Sequence, residues 1–254
     1  MKKSMTEKLF LGTSGLILPY KNKSFYPEHL QDKSRLAVYG TIFNSLEVNS
    51  SFYKIPRAPT LQKWENEVPE NFKFTFKLWK GITHNKALTF ANEDVLQFMN
   101  AINAIEHKSG CLLVQLPPSA DISQLPQLSL LLTTITEQNH CNKWRIAIEF
   151  RHNSWYIAQT YKMLDQHHAG VVFHDKLQGG MNIDETEAPF IYLRFHGPGG
   201  DYKGSYDDAY LEEYSHYCHE WLAANKEVYV YFNNTMGEAI KNVKILENSI
   251  IDLL

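Results

Sequence analysis

Cysteine is scarce in this chain, and the little there is lies scattered. Cys111, Cys141 and Cys218 are odd in number, widely spaced, and form no CxxC. That argues against a disulfide framework or a thiolate zinc site, and fits reduced thiols in a cytoplasmic protein. Cys111 opens an apolar run and reads as a small core residue rather than a nucleophile. Long hydrophobic runs are missing too. None approaches the roughly 20 residues of a membrane helix. In MKKSMTEKLFLGTSG, Thr6, Glu7 and Lys8 interrupt any signal-like stretch. An excess of one charge is also absent, since 25 Lys and Arg against 28 Asp and Glu leave a formal charge of -3. With no Lys/Arg stripe, nothing draws the chain to nucleic acid or an anionic membrane. Eleven histidines shift that balance only in mild acid. No HxH or HExxH pair offers a compact metal motif.

What is present is alternation. The 254 residues, 44% hydrophobic, suffice for one substantial core and have the length of a single α/β barrel. Strand-like runs fall at 9–15, 45–53, 72–79, 111–118, 145–152, 170–175, 190–197 and 227–234. Helix-like stretches lie among them at 30–43, 93–108, 154–167, 207–225 and 237–254. Asp207 with Asp208, and Ser154, stand where helix starts are expected. Strand followed by crossover, repeated eight times, predicts a single (β/α)8 TIM-like barrel of parallel strands. The last helix is expected to seal the final gap. No linker-like shift in composition divides the chain, so residues 1–254 are expected to form one domain, with 1–8 a flexible N-terminal extension.

A barrel gives the alternation a second meaning. In RIAIEFRHNSWY (145–156), Ile146, Ile148 and Phe150 share one face, and Arg145, Ala147, Glu149 and Arg151 the other. If the apolar face packs on helices, the charged one points inward. The same logic sends Ser45, Glu47 and Asn49 inward on the second strand, and Lys73, Thr75 and Lys77 on the third. It adds Gln115 on the fourth, Tyr192, Arg194 and His196 on the seventh, and Tyr229, Tyr231 and Asn233 on the eighth. Lys73 and Arg145, at strand starts, belong to the far end, with solvent. The other charges gather at the C-terminal ends, where barrel enzymes place their chemistry. Buried ion pairs often only break even, so this gathering points to a ligand site rather than to a stability device.

The motifs GTSG (12–15), FYP (25–27), LEVNSSFY (46–53), PENFKFTFK (69–77), ITH (82–84), LLVQLPPS (112–119), EFRHNSW (149–155), RFHG (194–197) and YFNN (231–234) occur in this order. Together they resemble the domain of unknown function family 72, also called the YecE-like family, from about residue 9 to the C-terminal helix. The resemblance implies a TIM-like barrel and carries no established activity or catalytic residues. Leu16 departs from the aromatic usual after GTSG, which bears on the rim. Val243 replaces a small residue in the last helix, which bears on packing.

Three functions follow from these residues. The first is a metal-independent hydrolase or lyase acting on a small, polar, anionic compound at the C-terminal mouth. Glu149 would be its principal acid–base group, Glu47 its partner and His196 a proton shuttle. Lys77, Arg151 and Arg194 would hold the substrate, with His84, Gln115, Asn49 and Asn233 orienting it. The second is a metal-dependent sugar isomerase or phosphodiesterase, with Glu47, Glu149, His174, Asp175 and His196 around a divalent ion. The third is a ligand-binding barrel without catalysis, with Trp64, Trp79, Trp155 and Trp221 available to a partner face, although such aromatics are usually core. The glycines of HGPGGDYKG (196–204), with Lys203, would suit a phosphate or be ordinary loop chemistry.

Overall fold

The computed structural model describes residues 5–175 and 187–254. Residues 1–4 of the expected N-terminal extension lie outside that range. Eight parallel strands close into a barrel in sequence order. They are β1 (Leu9–Ser14), β2 (Ser45–Val48), β3 (Lys73–Lys77), β4 (Ser109–Gln115), β5 (Arg145–Glu149), β6 (Ala169–His174), β7 (Phe190–Phe195) and β8 (Glu227–Phe232). The α-helices among the described residues are α1 (Arg35–Gly40), α2 (Ala58–Glu67), α3 (Lys80–Thr83), α4 (Asn92–Ile102), α5 (Leu125–Gln138), α6 (Ala158–Gln166), α7 (Asp208–Ala223) and α8 (Ala239–Leu253). As the sequence predicts, α8 packs against β1 and β8 where the barrel closes.

Period two sorts each strand. Leu46, Val48, Phe74, Phe76, Ile146 and Ile148 point outward into the layer shared with the helices. Phe10, Cys111, Leu113, Ala147, Val172, Tyr192, Tyr229 and Tyr231 form a separate cluster inside the barrel. All three tyrosine hydroxyls there are bonded to strand residues. Tyr231 meets Ser45 Oγ at 2.5 Å and Thr75 Oγ1 at 2.7 Å, so the centre is packed rather than hollow. Gly12 has a steric reason to be glycine, since a Cβ there would lie 1.9 Å from the Ser45 carbonyl oxygen. Into that close approach reaches Tyr39, whose hydroxyl accepts from Thr13 N and donates to Ser45 O. Cys111 is the small buried residue its context predicts.

Several boundaries differ from the periodicity. The run at 45–53 leaves the sheet at Val48 and winds through a 3-10 turn, Asn49–Phe52. Ser51 Oγ ties that turn to the carbonyls of Val48 and Lys77. The helix expected at 30–43 is only α1, because Ser34 caps Ala37 N. The stretch 93–108 stops at Ile102, and the Glu65 carboxylate accepts from the backbone N–H groups of Glu106, His107 and Lys108. Ser154 caps no long helix. Its hydroxyl accepts from Ile122 N, and α6 starts only at Ala158. Asp207 does cap α7, accepting from Tyr210 N at 2.7 Å. Helix α2 escaped the periodicity because it buries fully only Leu61, whereas α5 does carry it, with buried Leu128, Leu131, Leu132 and Ile135 at helical spacing. Trp155 and Trp221 are buried, and Trp64 and Trp79 pack partly buried against the same core.

Candidate functional site

Closure of the barrel brings β2, β5 and β7 to one point. Glu47, Glu149 and Arg194 sit on their inward faces near the C-terminal ends, and the Arg194 side chain lies between the two carboxylates. Its Nε and Nη2 donate to Glu47, the latter at 2.8 Å to Oε1, and Nη1 donates to Glu149 Oε2 at 3.0 Å. Both glutamates are wholly buried and Arg194 is nearly so. The Tyr192 hydroxyl also donates to Glu47. Glu149 is shared further, with Arg151 Nη2 against its other oxygen. Glu149 and Arg151, on the face of residues 145–156 expected to point inward, thus meet inside the barrel mouth.

The electrostatics follow from this geometry. Burial pushes the Glu149 carboxyl up, but the Arg194 and Arg151 guanidinium groups outweigh it and hold Glu149 well below the usual carboxylate range. Glu47 is likewise lowered, with burial opposed by the charge and hydrogen bonds of Arg194. Both therefore remain ionised at neutral pH.

His196 is fixed in one tautomer. Its Nε2 lies 2.9 Å from Arg194 Nη1 and 3.0 Å from Arg151 Nη2. Arginine can only donate, so Nε2 accepts and Nδ1 carries the proton. That proton goes to Asp175 Oδ1 at 2.9 Å. Asp175 also accepts from His196 N and from the Tyr206 hydroxyl. Burial, then the nearby Arg194 charge, outweighs the Asp175 hydrogen bond and pushes His196 down to about 4. It stays neutral and holds two arginines in place.

Above this network lies a cavity of about 190 Å³, lined by Asn49, Phe52, Tyr53, Lys77, Gln115, Arg194, Tyr202 and Asn233. Lys77 enters it from the end of β3, with Nζ 4.1 Å from the centroid of the Phe52 ring. Among the described residues no carboxylate pairs with this ammonium group, because Glu47 and Glu149 are engaged by arginines. Burial and then the Arg194 charge bring Lys77 down to about 8. The Oδ1 of Asn49 is a buried oxygen without a hydrogen-bond partner.

Of the residues singled out in the sequence, Asn49, Lys77, Gln115, Arg194 and Asn233 line the cavity. Glu47, Glu149 and His196 form the network beneath it, joined by Arg151. His84 does not line it. That side chain is exposed, bonded to Thr83 Oγ1, and meets the site through its edge contact with Phe52 and the charge of Lys77. Lys73 and Arg145 lie at the far end, where Arg145 pairs with Glu227 rather than simply meeting water. Sequence reasoning missed Phe52, Tyr53 and Tyr202 as lining residues. The first two arrive through the 3-10 turn after β2. Tyr202 arrives through a loop in which it takes a left-handed backbone conformation, φ 69°, uncommon for a side-chain-bearing residue.

Two alternatives meet obstacles in the donor sets. No three His, Cys, Asp or Glu residues among the described residues are grouped to hold a metal ion. Arginines occupy the carboxylates of Glu47 and Glu149, His196 and Tyr206 that of Asp175, and His174 Nε2 donates to Phe150 O. Several N–H groups of the glycine-rich loop 196–204 are already engaged within the protein. Gly197 N donates to the Tyr206 hydroxyl, Gly200 N to Gly197 O, and Tyr202 N to His196 O. A larger groove of about 890 Å³ runs beside α1 and α2, lined by Leu16, Leu36 and Trp64 among others. Its charged residues, Arg35, Lys63 and Glu67, come from those helices and not from strand ends.

Fold and site together define a (β/α)8 barrel with a charged network and a small cavity at its C-terminal mouth. The chain belongs to the family described as "Protein of unknown function DUF72", which matches residues 10–251. It is 25% identical over 244 residues to the UPF0759 protein YunF of Bacillus subtilis (strain 168), covering 84% of this chain and 85% of that one. Over 121 residues it is 25% identical to the UPF0759 protein YecE of Escherichia coli (strain K12), covering 48% and 43% of the two chains. Among solved structures, a DUF72 family protein from Thermotoga maritima MSB8 superposes with a TM-score of 0.69 at 27% identity, covering 94% of this chain and 98% of that one. Another, from Enterococcus faecalis V583, gives 0.74 at 23% identity, covering 94% and 96%.

Proposed function

We propose that this barrel is an enzyme working without a resident metal, a hydrolase or lyase that takes a small, polar, anionic compound at its C-terminal mouth. The observation that carries this reading is Lys77. A largely desolvated ammonium group without a counter-ion is costly, and an entering carboxylate or phosphate would relieve that cost. The cavity is below the usual size for drug-like ligands, which favours a compact molecule. Side-chain amides of Asn49, Gln115 and Asn233 offer orienting hydrogen bonds beside it.

The roles shift from those the sequence invites. Carboxylates held as far down as Glu149 and Glu47 make poor bases, and a useful acid–base group titrates near the working pH. We therefore assign Glu47, Glu149 and His196 to positioning Arg194 and Arg151. Lys77, titrating near neutrality, is the residue we place against the substrate. A barrel that binds without catalysis would use the same cavity, and turnover of a bound compound separates the two.

The test is binding of formate, acetate, lactate and inorganic phosphate, followed by ligand-observed NMR on wild type and Lys77→Met. At least one anion should bind wild type and lose tenfold or more in affinity on the substitution, with the circular dichroism unchanged. Equal binding by both proteins, or no binding of any anion by wild type, refutes the reading.

A further inference from the structure

We propose that Lys77 is a covalent catalyst whose Nζ condenses with the carbonyl carbon of a small aldehyde or keto acid, so that the substrate is a compact carbonyl compound bearing an anionic group. This rests on the reading of the mouth as a small-anion site and names the substrate class for it.

The placement of the amine is the argument. Lys108 is more deeply buried than Lys77, but its Nζ donates to the carbonyls of Glu65 and Val68 at 2.7 and 3.0 Å, the bonding of a structural residue. Lys77 Nζ has an aromatic face beneath it and a cavity before it. The two nearby carboxylates are withheld from it by Arg194 and Arg151. Desolvation beside another cation is how a lysine is made nucleophilic. At its depressed value of about 8, about a tenth of Lys77 is free amine at pH 7, against roughly one part in 3,000 for an ordinary lysine. The neighbouring amides of Asn49, Gln115 and Asn233 remain for the anionic group.

The step balances without any further reactant. The nitrogen lone pair attacks the carbonyl carbon, and the C=O π pair passes to oxygen, which takes a proton to give a carbinolamine. Loss of water, made of that oxygen and the two amine hydrogens, leaves the C=N bond. Once protonated, the imine accepts the electron pair of an adjacent breaking bond, the electron sink a metal-free lyase needs. Water then hydrolyses the imine and restores the amine.

Reductive trapping tests this directly. Wild-type protein is incubated at pH 7 with glyoxylate or pyruvate and sodium cyanoborohydride, and the adduct is mapped by peptide mass spectrometry. Lys77 should be labelled at least tenfold faster than the exposed Lys80, three residues away, and excess lactate should slow labelling of Lys77 alone. Lys77→Arg should lose the fast adduct, although the wild-type comparison stands without that variant. If lactate binds at the mouth but Lys77 labels no faster than Lys80, the covalent role is overturned while the anion site survives. If Lys77 labels fast with no lactate binding or protection, the covalent role stands and the anion reading fails.

Discussion

Arginine–glutamate pairs close both ends of this barrel, and the two ends are built differently. At the N-terminal end Arg145 holds Glu227 through two parallel bonds of 2.8 and 3.0 Å, with side chains 30% and 26% exposed. At the C-terminal end Arg194 is shared between Glu47 and Glu149, with exposures of 2%, 0% and 0%. The chemistry is the same and the solvation is opposite. Water screens the lower pair, so it is worth little and costs little. The upper charges have surrendered their hydration and depend on one another to recover the loss. A fold gains nothing by choosing the second arrangement for stability alone. The upper network is better understood as a rigid floor that keeps Lys77 unpaired above it, at the end of the barrel where such folds do their chemistry.

The sharpest way to break the comparison is to remove the shared cation. Arg194→Met should cost on the order of 3–5 kcal/mol in urea denaturation, because it strands the buried Glu47 carboxylate and leaves Glu149 with Arg151 alone. Glu149→Gln should cost about 3 kcal/mol, the lower end of that range, since Arg194 keeps Glu47 while Arg151 loses its carboxylate and keeps the neutral His196. A loss below about 1 kcal/mol in the Gln variant, the scale of an exposed pair, would mean that solvent relieves the upper site and would return Glu149 to an acid–base role.

Alternation alone exposed most of this contrast. Glu47, Lys77, Glu149 and Arg194 all read as inward and near the C-terminal ends, since period two in a barrel leaves no other choice once the apolar face is fixed. Which charge meets which was not legible. The Glu47–Arg194 contact spans 147 positions and exists only because β2 and β7 lie across a closed ring. The 3-10 turn after Val48 was hidden as well, because LEVNSSFY continues to look extended, and with it went Phe52 and Tyr53. Tyr202 depends on a left-handed backbone in a loop whose composition marks it only as a turn. His84 is the converse case, a polar loop residue near the mouth whose ring touches Phe52 without lining the cavity.

Acid should separate the two ends more gently. Free histidine titrates near 6.5, whereas folded His196 resists protonation down to about 4. As the pH falls, the unfolded chain binds that proton first. The stability contributed by neutral His196 is thus complete above about pH 6.5 and is lost on the way to about pH 4. Glu47 and Glu149 are depressed below the ordinary carboxylate value, so their contribution starts to fail only below about pH 4.3. Their loss follows that of His196. Denaturation curves taken between pH 6.5 and 5 should lose up to about 1.4 kcal/mol per pH unit through this one group. His196→Gln, which can still accept from an arginine, should flatten that slope. An unchanged slope would show that His196 titrates in the fold as it does in the unfolded chain.

The smallest effect should come from the lower end. Arg145→Met removes a guanidinium group with two good hydrogen bonds, but Glu227 has water on one side and keeps the Tyr229 hydroxyl at 3.1 Å. Lys73 also lies near enough to favour its charge. The expected loss is therefore at most about 1 kcal/mol, the upper end for partly exposed pairs. Methionine retains much of the side chain's packing, so the measured loss reports mainly on the charge. Repeating the denaturation in 1 M salt, where screening acts over roughly 3 Å, should shrink the difference between wild type and variant further. The same salt should leave the cost of Arg194→Met nearly unchanged, because ions do not reach a buried network. If salt reduced both costs alike, the upper network would be as wet as the lower one, and the sealed floor beneath Lys77 would not exist.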